Sequence, residues 1–354
     1  MKAVEYRVGV IGCGRVAWLL DMDPLIPNKP VTHMGAYLEV NRTKVVAAAD
    51  IRADRLHAFS KRFGVEDVYL DYAEMLARVH PDIVSICAHA PDRYRMVSDA
   101  VRAGVMGIWC EKAFATSLPE AEAMTRLCEE NGVALVVNHT RRFSSEYQRA
   151  KKLLDEGAIG TPLSAVCHFS GSIVHTGTHA YDILRYLFGE AVWVEANLEV
   201  TRRSIRNMLR PGDKNLCGDT GGHALIAFEG GVHAAVHGDS RNYFIFEFDI
   251  MGTEGRLRIG NWLFELYQAG ESARESGLRE LHKRKAGRRK ANSPAVPALL
   301  HLLGCMEGTT HNISGPRDGT AALEIALALQ RSHASGGGKV ALPLQDRSLR
   351  VMSR

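Results

Sequence analysis

A short apolar run near the start of the chain, Tyr6–Ile11, passes directly into Gly12-Cys13-Gly14-Arg15-Val16-Ala17. A strand that ends in this glycine pattern leaves few choices of fold. Gly12 lets the backbone turn tightly, and Gly14 removes a side chain where a pyrophosphate would approach the main chain. Ala17 lets the following helix pack closely on the strand, and the helix N-terminus presents unpaired N–H groups to an anion. The pattern therefore predicts that Gly12, Gly14, Arg15 and Val16 bind a dinucleotide.

The residues that follow support such a fold. Apolar runs at Val45–Ala49, Ile83–Cys87, Val105–Cys110 and Ala134–Asn138 alternate with helical patterns at Arg55–Phe63, Tyr72–Val79, Tyr94–Ala103 and Leu118–Asn131. Strands alternating with helices of this length predict a parallel, doubly wound α/β sheet. After about Arg142 the rhythm changes. Glu146–Glu156 reads as a helix, and Leu163–Phe169, Ala191–Val200, Ala224–Phe228, Val232–His237 and Tyr243–Met251 read as strands. Tight glycine turns at Glu229-Gly230-Gly231 and Gly252–Gly255 imply antiparallel pairing. A helix at Ala321–His333 is expected to close the second domain. A chain of 354 residues exceeds one ordinary core, so two domains are expected, residues 1–140 and 141–354.

Composition excludes several classes. No apolar run reaches the ~18 residues of a membrane-spanning helix, and no signal-peptide core follows Met1. Seven cysteines without paired metal-ligand spacing suit a reducing compartment, so a cytoplasmic location is expected. The formal charge of +4 comes from one place: His282–Lys290 holds six Lys or Arg and no acid, and the rest of the chain sums to −2. This run reads as a solvated loop rather than a nucleic-acid site, because no aromatic residues are interleaved with it.

Three further groups carry candidate chemistry. Asp50 ends the second strand run, where a carboxylate can accept hydrogen bonds from adenosine ribose hydroxyls and would repel a 2′-phosphate. With Ile51 and Arg52 beside it, Asp50 points to NAD, while Arg52 and Arg55 leave NADP open. Gly14 and Asp50 lie 36 residues apart instead of about 20, so Asp21–Tyr37 is read as an inserted loop, with His33 on its surface. Glu111-Lys112 follows the fourth strand run, at the sheet edge where ligands bind; the lysine there can stabilise a developing alkoxide. Finally, His175, His179 and Asp182 fall at i, i+4 and i+7, on one face if the segment is helical. Imidazoles placed so suit proton transfer. Their spacing also suits a metal ion, but no third ligand pair is evident and none is expected.

Taken as a set, these residues resemble the Gfo/Idh/MocA family, named for glucose–fructose oxidoreductase and inositol dehydrogenase. Gly12–Ala17 resembles its dinucleotide loop, Cys110-Glu111-Lys112-Ala113 its Glu-Lys-Pro signature, and Asn138–Phe143 its domain junction. Gly177-Thr178-His179-Ala180-Tyr181-Asp182 is similar to its GxHxxD helix, and Phe248–Gly255 to a strand-turn of its second sheet. The resemblance implies a Rossmann domain followed by an α/β domain with a large, mostly antiparallel open sheet. That sheet often pairs with another subunit, which implies a homodimer or homotetramer. It also implies that Lys112 orients a sugar or cyclitol hydroxyl, that His179 removes its proton, and that Asp182 contacts substrate or supports His179. Glu111, Ala88 and His89 fall where the family meets its cofactor. Three departures are visible: Ala113 replaces proline, His175 stands where an aspartate is common, and Ala88-His89 replaces Thr-Pro. The leading expectation is reversible oxidation of a secondary hydroxyl on a sugar, glycoside or cyclitol. Oxidation-assisted glycoside elimination with cofactor recycling is one alternative; a catalytically silent nicotinamide-binding regulator is another.

Overall fold

The computed structural model describes residues 4–200, 216–217, 219–239, 243–285 and 293–351. The chain divides into two compact units. Met1–Phe143 and Asn292–Thr320 belong to the first, and Ser144–Ala291 and Ala321–Met352 to the second.

In the first unit the strands are β1 (Tyr6–Ile11), β2 (Thr43–Ala49), β3 (Asp67–Tyr69), β4 (Ile83–Ile86), β5 (Gly107–Cys110) and β6 (Ala134–Val137). They pair in the order β3-β2-β1-β4-β5-β6, all in parallel. β4 and β5 are buried along their whole length, as expected of strands covered on both faces. Between the strands lie helices α1 (His33–Glu39), α2 (Ala53–Phe63), α3 (Tyr72–Val79), α4 (Ala90–Arg102) and α5 (Leu118–Glu130). Their ends follow local chemistry. Asp71 caps α3 by accepting from the Ala73 N–H, and Gly64 closes α2 in the left-handed region. The sequence predicts α3 with its observed ends but misses β3, which has three residues and little burial.

The helix expected immediately after the glycine loop is absent. Turns and one short 3-10 segment, Leu19–Met22, stand there, and regular helix begins only at His33. The first N–H groups of α1, from His33 and Met34, donate to Val16 and Ala17 carbonyls at 3.3 and 2.9 Å. The segment between is thus looped out of what would otherwise be one helix, which accounts for the long interval from Gly14 to Asp50. It also corrects the reading of Asp21–Tyr37 as loop throughout, because its last residues are helical and His33 is buried.

The second unit opens with α6 (Ser145–Asp155), β7 (Pro162–Phe169), α7 (Thr178–Phe188) and β8 (Ala191–Val200). Then come β9 (Leu216–Cys217), β10 (Asp219–Phe228), β11 (His233–Asp239), β12 (Phe246–Gly252), β13 (Gly255–Gly260), β14 (Phe264–Glu271) and β15 (Arg279–Arg284). With β16 (Val340–Ala341) they form a nine-stranded sheet in the order β15-β14-β13-β12-β7-β11-β10-β8-β16. Every pairing in it is antiparallel except β11 with β7. β9 pairs separately with β17 (Arg350–Val351). Burial alternates along β12 and β13, so one face carries the core and the other does not. The basic run is not wholly loop: His282–Arg284 lie in β15, an edge strand where Lys283 pairs with Glu265 at 2.6 Å. Charged side chains of this kind keep an exposed edge from pairing further. The rest of that run, 286–290, lies outside the described residues.

Two later helices complete the fold. α8 (Ala295–Met306) returns to the first unit, where Ala298, Leu299, Leu302 and Leu303 enter a core with Trp109, Val136 and Phe143. α9 (Pro316–Ala334) belongs to the first unit as far as Thr320 and to the second from Ala321. Ahead of it, Ser314 Oγ donates to the Val137 carbonyl at 2.8 Å, fastening the returning chain to the end of β6.

Candidate active site

In the first unit the predicted residues gather on loops at the carboxyl ends of β1, β2, β4 and β5. Gly12 has φ +90°, and a Cβ there would lie 3.0 Å from the Cys87 carbonyl carbon and 3.1 Å from the Ala88 nitrogen. Only glycine combines that conformation with so close a neighbour. A Cβ on Gly14 would meet nothing nearer than the Arg55 guanidinium at 3.4 Å, so open space stands over the loop. Arg15 is exposed and Val16 half-buried. Asp50 follows β2 directly, and its carboxylate is locked: Oδ2 accepts from the Cys13 N–H at 2.7 Å and Oδ1 from the Arg52 N–H at 2.9 Å. Arg52 turns its guanidinium to Asp54, at 3.1 and 2.6 Å. Ile51 is exposed. A cradle that a Cβ would fill, beside a carboxylate fixed by the same loop, fits a dinucleotide.

At the ends of β4 and β5 a buried arginine, unremarked in the sequence, ties two loops together. Arg93 donates from Nε and Nη2 to the Ala88 carbonyl at 3.1 and 2.8 Å, and from Nη1 to the Ala113 carbonyl. Ala88 is thereby fixed relative to the segment carrying Glu111 and Lys112, while His89 is exposed as the N-cap of α4. The Lys112–Ala113 peptide is cis. Burial pushes the Lys112 ammonium down to about 8, against the upward pull of Glu111 and with Arg93 and Arg141 adding to the fall. At neutral pH it stays mainly the ammonium but holds its proton less tightly than an ordinary lysine.

Glu111 is buried and heavily bonded. Its Oε1 faces His33 Nε2 at 3.2 Å and accepts from Asn138 Nδ2 at 2.6 Å. Oε2 accepts from the Lys112 N–H at 3.3 Å. Burial alone would raise this carboxyl, but the bonds from His33 and Asn138 and the Arg93 charge bring it down to about 2. His33, read as loop surface from the sequence, is buried at the N-terminus of α1. No local pattern marks it, since its partners are 52 and 78 residues away.

In the second unit the histidine segment is only partly helical. α7 begins at Thr178, so His179 and Asp182 share helical spacing while His175 stands in the turn before it. The expected single face of His175, His179 and Asp182 is corrected accordingly. Asp182 is fully buried and His179 half-buried. The turn is held by Asp219, at the start of β10, which no sequence feature singled out. It accepts from the Ile173 N–H at 2.6 Å, the Val174 N–H at 3.1 Å and the Ser172 hydroxyl at 2.7 Å. Tyr181 Oη donates to the Ile173 carbonyl at 2.7 Å. A Cβ on Gly177 would lie 2.1 Å from the Ile173 oxygen and 2.5 Å from the Tyr181 hydroxyl, so no larger residue fits this turn. Among the described residues no group of three or more His, Cys, Asp or Glu is placed to hold a metal ion.

The profile of an oxidoreductase family's NAD-binding Rossmann fold matches residues 6–139, and that of the same family's C-terminal alpha/beta domain matches residues 167–342. The chain belongs to the Gfo/Idh/MocA oxidoreductases. Among relatives in this family, a D-apiose dehydrogenase of Paraburkholderia graminis is 32% identical over 252 residues. That alignment covers 64% of this chain and 64% of the relative's own length. The scyllo-inositol 2-dehydrogenase (NAD(+)) of Bacillus subtilis is 24% identical over 94% of this chain and 95% of its own. Among solved structures, the WlbA dehydrogenase from Bordetella pertussis, in complex with NADH and UDP-GlcNAcA, has a TM-score of 0.74 at 19% identity. That match covers 96% of this chain and 100% of the other, a likeness of fold. Gly12, Asp50, Ala88 and Lys112 all lie within the residues matched by the NAD-binding Rossmann profile. No helix among the described residues is long and apolar enough to cross a membrane.

Proposed function

We propose that the chain is a dehydrogenase that exchanges hydride between NAD and a secondary hydroxyl or ketone of a sugar, glycoside or cyclitol. The observation that carries this reading is Lys112, half-buried at the carboxyl end of β5 with its ammonium brought down to about 8, in a dinucleotide-type sheet. The sugar and inositol substrates in the names of the D-apiose and scyllo-inositol dehydrogenases support the substrate class.

In this reading Gly12, Gly14, Arg15 and Val16 hold the pyrophosphate, and Asp50 and Ile51 border the adenosine ribose. The fixed Asp50 carboxylate favours ribose hydroxyls over a 2′-phosphate, and Arg52, engaged by Asp54, favours NAD over NADP in the same way. Ala88 and His89 border the nicotinamide side. Bound nicotinamide supplies the hydride acceptor. The Lys112 ammonium donates to the reacting oxygen and offsets the negative charge that develops on it. His179 takes the hydroxyl proton, with Asp182 on the same helix supporting it and His175 contacting substrate from the preceding turn. A homo-oligomer formed through the sheet of the second unit belongs to the same proposal. So does a cytoplasmic location, which the free thiols of Cys13, Cys87, Cys110, Cys128 and Cys305 support.

The test is absorbance at 340 nm with NAD or NADP and a panel of monosaccharides, glycosides, nucleotide sugars and inositols. Reduced cofactor should form with one substrate group, and Lys112→Ala and His179→Ala should each abolish it while calorimetry shows cofactor affinity nearly unchanged. Cofactor binding with no turnover across the panel would sink the dehydrogenase reading in favour of elimination or a silent regulator.

A further inference from the structure

We propose that His33 is a positioning residue for Lys112: clamped between Ser85 and Glu111, it fixes the carboxylate that stands beside the lysine. The inference rests on the dehydrogenase reading only for the use made of Lys112; the positioning itself is a matter of geometry.

Glu111 Oε1 can only accept, so the proton between it and His33 lies on Nε2. Tyr37, whose buried phenol is pushed above its ordinary range and stays protonated, shares a hydrogen bond with Ser85 Oγ at 2.8 Å. With Nε2–H donating to Glu111 Oε1 at 3.2 Å, Nδ1 of the neutral ring accepts from Ser85 Oγ at 2.9 Å. The opposite tautomer would set the Nε2 lone pair against a carboxylate oxygen, two acceptors face to face. From the other side, Trp109 Nε1 donates to Asn138 Oδ1 at 3.2 Å, which turns the Asn138 amide so that Nδ2 donates to the same Glu111 oxygen at 2.6 Å. The Trp109 ring also packs on the His33 imidazole, with centroids 3.9 Å apart. Tyr37, Ser85, His33, Trp109, Asn138 and Glu111 are all buried, and the bonds from His33 and Asn138 hold the carboxylate ionised.

Lys112 is the group that feels this charge. Glu111 favours its ammonium; Arg93 and Arg141 and the burial of the side chain disfavour it. If His33 no longer donates, the Glu111 carboxylate turns or takes a proton, and Lys112 loses a neighbour that supports its positive form. The segment looped out after the glycine turn would then have a task, since it delivers His33 at the head of α1 to the underside of the lysine loop.

The test reads the lysine directly, without turnover. The full-length protein is reductively methylated with 13C, the Lys112 signal is assigned by its loss in Lys112→Arg, and its titration is followed by NMR. In His33→Leu the Lys112 midpoint should fall by about one pH unit, a tenfold change in its charged fraction above the midpoint. His33→Gln, whose amide can still donate, should recover most of that shift. Ser85→Ala, a smaller change that frees the ring to turn, should move the midpoint the same way by less, and it carries the test if His33→Leu does not fold. A folded His33→Leu or Ser85→Ala with a lowered melting temperature but an unmoved Lys112 titration would overturn the proposal and leave His33 a packing residue. A shifted titration in a protein that turns over no polyol would keep this inference and sink the dehydrogenase reading.

Discussion

Asp219 offers the sharpest test of how the histidine turn is held. It is buried and accepts three hydrogen bonds, from the Ile173 and Val174 N–H groups and the Ser172 hydroxyl. Asp219→Asn keeps the shape but replaces one acceptor oxygen by a donor. With the amide oxygen kept on Ile173, the amide NH2 faces the Val174 N–H, and only the Ser172 hydroxyl can turn to accept from it. One buried donor is orphaned, at about 1–3 kcal/mol, and the surviving bond to Ile173 loses its charge assistance, about 1 kcal/mol more. The turn should therefore open about 2–4 kcal/mol more easily. Hydrogen exchange reads this locally: amides of the peptide spanning 172–177 should exchange roughly 30- to 900-fold faster. The nine-stranded sheet should keep its protection. Exchange at that peptide within threefold of the parent would refute the account, because it would mean that Asp219 does not hold the turn. Substrate turnover should fall with the loosened turn while NAD affinity, set in the other unit, stays constant.

Other perturbations follow from the same contacts. Gly12→Ala places a side chain at φ +90° against the Cys87–Ala88 backbone; at about 1–2 kcal/mol for the backbone alone, calorimetry should show NAD affinity at least tenfold weaker. The Glu111 carboxyl is depressed to about 2 in the folded chain, so its stabilisation is present above the ordinary carboxyl range, near 4.5, and is lost as pH falls toward 2. Urea unfolding should find Glu111→Gln clearly weaker than the parent at pH 6, with the gap narrowing at pH 3; a gap that stays constant with pH refutes this. Leu302→Ala removes a fully buried side chain from α8 and should cost about 2–5 kcal/mol in the same assay.

Much of the candidate site was legible because its residues sit on short-range patterns. The glycine loop, Asp50 and Lys112 each follow an apolar run, and the parallel sheet places the ends of those runs at one edge. His179 and Asp182 were legible as candidates for the same reason, three-residue spacing at the head of an amphipathic helix. What escaped depends on contacts distant in sequence. Arg93 acts on carbonyls of two different loops, Asp219 reaches back across 46 residues to Ile173, and His33 meets Glu111 across 78. The fold escaped in parallel places. β3 is too short to alternate, and α8 is apolar around most of its circumference, so neither has a period to detect. The start of α7 was misplaced because Gly177 and Asp219 shape the turn before it, and a turn fixed by a distant carboxylate has no helical period.

The return of the chain at α8 has a consequence for how the protein is made. The nucleotide-binding half has its glycine loop, Asp50 and Lys112 in hand once Phe143 has left the ribosome. Yet the apolar seat beneath Trp109 and Val136 stays bare until Leu299, Leu302 and Leu303 arrive, after strands β7 to β15 have been translated. A nascent chain of that length holds an unfinished hydrophobic surface for as long as synthesis takes to add the next 150 or so residues, on the order of ten seconds or more at ~5–20 residues per second. A fragment ending at Phe143 would keep that surface uncovered, and association with other chains is its expected fate.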